Sequence, residues 1–268
     1  MNFATELAPP GDSKTAPPVL GVVPARIGSS RLPRKPLQEI RGRPLVEWVW
    51  RRVTSFPLLD RVVVATDADE VADACGRFGA EVLLTDGGHA TGTDRVAEVV
   101  CREGFRSYPI VVNVQGDEPL VSEDEVRQAL AQVTREGRDL GTCAAPLSSV
   151  EAWRDPTVVK VARARDGRAL YFSRAPIPWK RDATPTAEDL EGGPYHRHLG
   201  LYAYRREALL QWVALPPTPL EELEKLEQLR ALEAGLTMGV GLVEGTAGGV
   251  DTQEDLERME ALLARDAG

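Results

Sequence analysis

A cluster of basic residues lies near the start of an acidic chain. The 268-residue chain has a net charge of −9, yet the stretch from Pro24 to Arg43 holds six Lys or Arg residues and one acid, Glu39. We call Pro24–Pro36 (PARIGSSRLPRKP) the basic loop, and it directly follows the apolar run Val19–Val23. Small residues such as Gly28 let a ligand approach the backbone N–H groups. This combination suits a polyphosphate, although a solvated basic loop has the same composition.

Two aspartates are candidates for holding a cation near the basic loop. Asp117 lies in the turn QGDEP (Gln115–Pro119) after an apolar run, and Asp251 lies in the segment GGVDTQEDL. Each has an ordinary alternative, because Asp is common in turns and at helix N-termini. A Mg²⁺ ion on a nucleotide needs only one or two protein carboxylates. The pair therefore makes Mg²⁺ a candidate cofactor, with the turn and cap interpretations still open.

A competing metal pattern occurs at Asp67 and Asp69, which form a D-x-D pair. In sugar-nucleotide glycosyltransferases such a pair holds a metal and a diphosphate. Asp69 is explained equally well as a cap of the following helix. The pattern leaves open a transferase that consumes a sugar nucleotide instead of forming one.

The histidines do not have the pattern of a zinc site. The chain has three, and the H-x-H pair His196 and His198 has no nearby Cys or carboxylate partner. Arg174, Arg197 and His198 fit better as anchors for an anionic substrate.

An acidic helical stretch runs from Pro219 to Gly235 and holds five Glu residues. A solvated helix face has this composition. Alternatively, Glu227 and Gln228 accept hydrogen bonds from sugar hydroxyls.

Short apolar runs alternate with helical segments through the first half of the chain. The runs are Val19–Val23, Arg61–Ala65, Glu81–Leu84, Ile110–Val114 and Leu140–Ala145. This alternation predicts an α/β fold with a mostly parallel sheet and helices on both faces. Ligands of such folds bind at the carboxyl ends of the strands. We therefore expect the basic loop, the TDAD segment and the QGDEP turn to meet at one edge.

Residues 19–268 are expected to form one domain, preceded by a disordered leader over residues 1–18. From about residue 150 to 215 the pattern changes, with antiparallel strands predicted around the turn Asp166-Gly167. We interpret this region as an insertion that serves dimerisation or substrate binding. One continuous helix is predicted from Pro219 to Ala234, where Leu recurs every third residue.

Composition and charge exclude several classes of protein. An acidic chain is a poor partner for nucleic acid or an anionic membrane. No apolar run approaches the roughly 18 residues of a membrane span. Cys75, Cys101 and Cys143 lie far apart without a C-x-x-C motif, which predicts reduced, buried thiols in a cytoplasmic protein.

Together these motifs resemble one family, the 3-deoxy-manno-octulosonate (Kdo) cytidylyltransferases, over nearly the whole chain from Leu20 to about Leu263. Several long motifs in the same order carry the resemblance. They are VPARIGSSRLPRKPL, VATDADEVA, HATGTDRVAEVV, VNVQGDEPL, YFSRAPIPW, RHLGLYAYR, LEKLEQLR and GVDTQEDLER.

The resemblance implies a Rossmann-like nucleotidyltransferase fold with a smaller dimerisation or lid region, and a homodimer. It implies Mg²⁺-dependent transfer of CMP from CTP to the anomeric hydroxyl of Kdo, with release of pyrophosphate, for lipopolysaccharide precursor synthesis. The implied catalytic residues are Arg26, Lys35 and Asp117. The implied nucleotide-binding residues are Ala25, Arg26, Ser29, Ser30, Arg31, Lys35, Thr91, Gly92, Arg95 and Gln115. The implied sugar-binding residues are Gln115, Arg174, His198, Tyr202, Glu227 and Gln228. The implied metal ligands are Asp117 and Asp251.

The chain departs from the family pattern at three places. Arg34 replaces the Gly that usually precedes Lys-Pro, which adds a cation and removes backbone freedom. Thr91 stands where Ser is common and keeps the hydroxyl. The leader is extra and carries no motif.

Other acceptors and one non-enzymatic function compete with this interpretation. The YFSRAPIPW and RHLGLYAYR motifs favour Kdo over sialic acid, but an amino-substituted octulosonate fits them equally well. A regulatory module would bind CTP without turnover, and the basic loop together with both candidate metal carboxylates argues against it.

Overall fold

The structure is a computed structural model that describes residues 16–29, 31–245 and 248–265, with the backbone alone described at residue 265. The leader predicted for residues 1–18 lies mostly outside the described residues. Across the described ranges, no helix combines the length and apolarity that a membrane crossing requires.

The strands form one large mixed sheet and one small hairpin. Their bounds are β1 (Val19–Pro24), β2 (Glu39–Ile40), β3 (Arg43–Pro44), β4 (Arg61–Thr66), β5 (Val82–Leu84), β6 (Ile110–Asn113), β7 (Leu140–Pro146), β8 (Lys160–Arg163), β9 (Ala169–Ser173), β10 (His196–Arg205) and β11 (Met238–Leu242). The main sheet has the order β11-β7-β10-β6-β1-β4-β5, while β8 pairs with β10 and β9. The pairs β1–β4, β1–β6, β4–β5 and β7–β11 are parallel. The predicted α/β class is confirmed.

Helices cover both faces of this sheet. Their bounds are α1 (Leu45–Thr54), α2 (Asp69–Arg77), α3 (Gly92–Cys101), α4 (Glu123–Thr134), α5 (Val150–Arg154), α6 (Ala187–Gly192), α7 (Arg206–Val213), α8 (Pro219–Glu224), α9 (Gln228–Glu233) and α10 (Gln253–Arg265). Successive strand residues point to opposite faces. Leu20 and Val22 of β1 accordingly join a core with α3 and α7, whereas Val19 and Val23 join a core with α1, α2 and α4.

Strand β10 runs antiparallel in the centre of the sheet. It pairs with β6 on one side and β7 on the other, so the region predicted as an insertion contributes a central strand. Its neighbours in the sheet are distant along the chain, so its central position was not predicted. The remaining part of that region places β8 and β9 beside β10.

Two local predictions are wrong. The helix predicted from Pro219 to Ala234 is broken at Lys225, which adopts a left-handed conformation (φ 53°) between α8 and α9. The break turns Leu226 and Leu229 into the core and leaves Leu223 81% exposed. Cys101, the last residue of α3, is exposed, while the other two thiols are buried as predicted.

Candidate active site

One open cavity of about 860 Å³ gathers the predicted site residues beyond the carboxyl ends of β1 and β6. Parallel strands that end side by side place their following loops together, which is why the basic loop and the QGDEP turn meet here. The predicted residues that line the cavity are Ala25, Arg26, Ser29, Arg31, Lys35, Thr91, Gly92, Arg95, Gln115, Asp117, Arg174, His198, Tyr202, Glu227, Gln228 and Asp251. Ser30 lies outside the described residues.

The basic loop is anchored to its neighbours by short contacts. The Ile27 N–H donates to Asp67 Oδ1 at 3.0 Å, and the Leu32 N–H donates to Ser29 Oγ at 3.3 Å. A Cβ at Gly116 would lie 2.6 Å from the Pro24 carbonyl oxygen. Glycine is therefore required where the QGDEP turn crosses the start of the basic loop.

Arg34 adopts a backbone conformation that is typical of glycine. Its backbone is left-handed (φ 53°, ψ 36°) directly before the short 3-10 turn Lys35–Leu37, a conformation that costs a non-glycine residue about 1 kcal/mol. Its guanidinium forms an ion pair with Glu70 on α2. The Arg34 side chain therefore links the basic loop to α2.

Lys35 joins the two candidate metal carboxylates. Its Nζ lies 2.5 Å from Asp117 Oδ2 and 2.9 Å from Asp251 Oδ1, and Arg31 contacts Asp251 at 3.0 Å. Burial alone would lower the pKa of Lys35, but attraction to the two carboxylates outweighs it and raises that pKa. The Val250 N–H also donates to the Asp117 carbonyl at 2.8 Å, which ties the two segments together.

The carboxylate pair fits a Mg²⁺ ion that is shared with a nucleotide. Both aspartates direct oxygen atoms at a single positive charge, the Lys35 ammonium, and carboxylate oxygens are ligands that Mg²⁺ prefers. No cluster of three or more His, Cys, Asp or Glu suited to a metal occurs in the part of the chain that the structure describes. Other ligands of the ion would therefore come from phosphate oxygens and water.

The D-x-D aspartates do not form a cation site. Asp67 accepts a hydrogen bond from the buried Arg95 at 3.1 Å and another from the Ile27 N–H, and Asp69 is the first residue of α2. Arg95 also donates to Thr85. Asp67 thus positions the basic loop, and the feature that suggested a glycosyltransferase has a structural explanation.

Thr91 begins the helix α3 at the cavity wall. Its Oγ1 accepts from the Asp94 N–H at 3.1 Å, and the Asp94 carboxylate accepts from the Thr91 N–H at 3.1 Å. This capping box satisfies the first free N–H groups of the helix. The Thr91 hydroxyl therefore caps α3.

A second part of the cavity lining is polar and includes Gln115, Glu227 and Gln228. Gln115 Nε2 donates to the Gly200 carbonyl at 3.3 Å. Glu227 accepts from Thr93 Oγ1 at 2.7 Å, and burial raises the pKa of this carboxyl. Gln228 is buried beside it. Such a wall suits a ligand with several hydroxyl groups.

Two predicted anion anchors have different environments from those expected. Arg197 does not line the cavity. Burial, followed by repulsion from Arg197, lowers the pKa of His198 to about 3. The His198 ring contacts Phe172 and Tyr202, and its Nε2 lies 3.0 Å from Thr142 Oγ1. His198 is therefore a neutral hydrogen-bonding group at physiological pH.

A substitution of His198 should change how stability depends on pH. Because the unfolded His binds a proton near pH 6.5 and the folded one does not, the free energy of unfolding falls as pH decreases from 6.5 toward 3. We expect the fall to be shallower in His198→Asn, by up to about 1.4 kcal/mol per pH unit. Urea unfolding of both proteins at pH 7.5 and pH 5.0 measures this, and equal pH dependences would contradict it.

Several cavity residues were not predicted from the sequence. The additional polar or flexible lining residues are Gly116, Gly200, Glu221, Glu222 and Lys225. Glu221, Glu222 and Lys225 come from α8 and the turn that ends it. The sequence signal available was the acidic stretch itself, but the break at Lys225 decides which of its residues face the cavity.

Comparison with protein families and curated proteins gives a consistent result. Residues 20–238 match the cytidylyltransferase family model. A 3-deoxy-manno-octulosonate cytidylyltransferase from Gemmatimonas aurantiaca is 50% identical over 90% of this chain and 92% of its own length. One from Pseudomonas syringae pv. syringae is 48% identical over 90% of this chain and 96% of its own length.

Solved structures agree with this assignment. A CMP:2-keto-3-deoxy-manno-octonic acid synthetase complexed with CTP is 37% identical, with a TM-score of 0.84 over 93% of this chain and 99% of that chain. A 4-diphosphocytidyl-2C-methyl-D-erythritol synthase from Anaerococcus prevotii shares the fold alone, at 16% identity and a TM-score of 0.62 over 93% of this chain and 97% of that chain. The chain therefore belongs to the cytidylyltransferase family, among the 3-deoxy-manno-octulosonate cytidylyltransferases.

Proposed function

We propose that this protein transfers CMP from CTP to the anomeric hydroxyl of Kdo, with Mg²⁺ as cofactor and pyrophosphate as second product. The observation that carries the proposal is a single cavity that combines the basic loop, the carboxylates of Asp117 and Asp251, and a polar wall. The names of the relatives and the CTP complex of a similar enzyme support the choice of substrates.

In the proposed reaction the anomeric hydroxyl oxygen attacks the α-phosphorus in line, and the bond from that phosphorus to the pyrophosphate oxygen breaks. Arg26 and Lys35 contact the triphosphate and neutralise negative charge that gathers on the leaving pyrophosphate. Glu227 and Gln228 hold the sugar hydroxyls, so that the attacking oxygen faces the phosphorus.

Asp117 and Asp251 would hold Mg²⁺. When bound, the ion would neutralise phosphate charge and lower the pKa of the attacking hydroxyl group. The neutral His198 and the buried Tyr202 shape the wall beside the sugar and limit water near the reacting atoms. Burial raises the pKa of Tyr202 well above its usual range, which keeps its hydroxyl a donor.

The direct test is pyrophosphate release from CTP and Mg²⁺ with and without Kdo. We expect release that depends on Kdo. If pyrophosphate is released with an amino-substituted octulosonate or with sialic acid but not with Kdo, the reaction type stands and the acceptor is that other sugar acid. CTP binding without release from any sugar acid would support a regulatory module instead.

A homodimer and a cytoplasmic location are further parts of the proposal. Exposed apolar side chains in the 150–215 region support the dimer, since Trp179 is 71% exposed and Leu170 is 53% exposed. The free cysteines of the described chain are typical of a reducing compartment.

A further inference from the structure

Lys160 is fully buried and has no role in the proposed reaction. It lies on β8 with a relative exposure of 0% and does not line the cavity. Its Nζ donates to three main-chain carbonyl oxygens, those of Asp155 (2.8 Å), Val158 (2.6 Å) and Arg174 (2.6 Å). An ammonium group has three donors, so these three acceptors satisfy it completely. Burial of a charge is costly unless it is fully hydrogen-bonded, and here the bonds hold three carbonyl groups around one nitrogen atom.

Arg174 continues the connection from Lys160 toward the cavity. Its guanidinium donates to the carbonyl oxygens of Glu224 (2.6 Å), Pro156 (3.0 Å) and Lys225 (3.3 Å). Its own N–H donates to the Glu224 carboxylate at 2.8 Å. Arg174 is thus held by Lys160 through its carbonyl oxygen and itself holds the end of α8.

The Lys225 turn sets the direction of the next cavity residues. Lys225 has a left-handed backbone (φ 53°, ψ 47°), which a non-glycine residue adopts only when its surroundings impose it. Glu227 and Gln228 follow within three residues and line the cavity. Glu227 reaches across to Thr93. The position of both side chains therefore depends on how the turn is held.

We infer that Lys160 is a positioning residue for the sugar half of the site, acting through Arg174 and the Lys225 turn on Glu227 and Gln228. The inference rests on the proposed function, because it takes Kdo as the ligand of that half. Within the described ranges, no hydrogen bond of Lys160, Arg174 or Glu227 goes to the basic loop or the QGDEP turn, which provide the proposed triphosphate and metal contacts. Loss of Lys160 should therefore change the KM for Kdo and leave the KM for CTP nearly unchanged.

The test compares Lys160→Met with Arg163→Met on the same strand. Arg163 also donates to a carbonyl oxygen, that of Val240 at 2.7 Å, but on the side of β11. We expect the KM for Kdo to rise at least about tenfold in Lys160→Met, with the KM for CTP and the calorimetric Kd of CTP within twofold of the unmodified enzyme. Arg163→Met should lower the Tm with both KM values within twofold.

Equal changes in both KM values, or the same kinetic profile in the two variants, would overturn the inference. Should Lys160→Met fail to fold, Glu224→Ala removes the acceptor of the Arg174 N–H from a partly exposed position that does not line the cavity. It should raise the KM for Kdo selectively, and an unchanged KM would overturn the inference. Absence of Kdo-dependent release in the unmodified enzyme would instead reject the proposed function and the ligand named here.

Discussion

Asp117→Asn should reduce the rate of Kdo-dependent pyrophosphate release by at least about 100-fold while the protein stays folded. The amide keeps the size of the carboxylate but removes its charge, which the proposed Mg²⁺ site and Lys35 both require. Loss of one electrostatic contact to the transition state typically costs about 10²–10³ in rate. The Asp117 side chain is 29% exposed, so we expect the amide of the same size to leave the protein folded. Single-turnover kinetics and a thermal melt measure the two effects.

Asp69→Asn is the matched control for this experiment. Asp69 is an exposed aspartate at the first position of α2, it does not line the cavity, and it belongs to the competing D-x-D pattern. Asn is also well accepted at a helix start, so we expect a rate within about twofold of the unmodified enzyme. Near-normal turnover in Asp117→Asn together with a large loss in Asp69→Asn would reverse the assignment of the metal ligands.

Lys35→Met should have two opposite effects on ligand binding. We expect kcat/KM for CTP to fall at least about 100-fold, because a cation proposed to contact the leaving pyrophosphate is lost. We also expect the free enzyme to bind Mn²⁺, a probe for the metal site, about tenfold more tightly. The Lys35 ammonium occupies oxygens of both Asp117 and Asp251, and its removal frees them. Water-proton relaxation measures the Mn²⁺ affinity without turnover.

The size of this second effect follows from simple electrostatics. A tenfold change in Mn²⁺ affinity corresponds to a binding free energy of about 1.4 kcal/mol. Two unit charges about 4 Å apart interact by about 4 kcal/mol at an effective dielectric constant near 20. The expected effect is therefore a fraction of this interaction energy. Arg31→Met is the control, because Arg31 also pairs with Asp251 but its side chain is 64% exposed and screened by solvent. A smaller gain is expected there. Unchanged Mn²⁺ affinity in Lys35→Met would show that the metal and Lys35 use different oxygens.

Much of the cavity was predictable because its residues follow directly after strands. Arg26, Gln115 and Asp117 occupy the first positions after β1 and β6, and the parallel pairing of these strands brings them together. The capping boxes at Thr91 and Ser122 likewise depend only on residues three apart in the sequence.

The sugar half of the site was less predictable because long-range contacts define it. The guanidinium of the predicted anchor Arg174 donates hydrogen bonds to three carbonyl oxygens. Burial lowers the pKa of the predicted anchor His198. Neither property depends on residues that are near in sequence. A charged residue type predicts an anion contact only if the fold leaves its charge free.

The sequence by itself determined the α/β class, the approximate positions of β1, β4, β5, β6 and β7, and the meeting of the basic loop with the QGDEP turn beyond β1 and β6. These features depend on hydrophobic periodicity, turn residues and caps, which act over a few positions. The tertiary structure alone decided that β10 runs between β6 and β7, that Lys225 breaks a leucine-rich helix, and that Lys160 is buried among carbonyl oxygens. Each of these results from partners distant along the chain, whose packing and hydrogen bonds outweigh local preference.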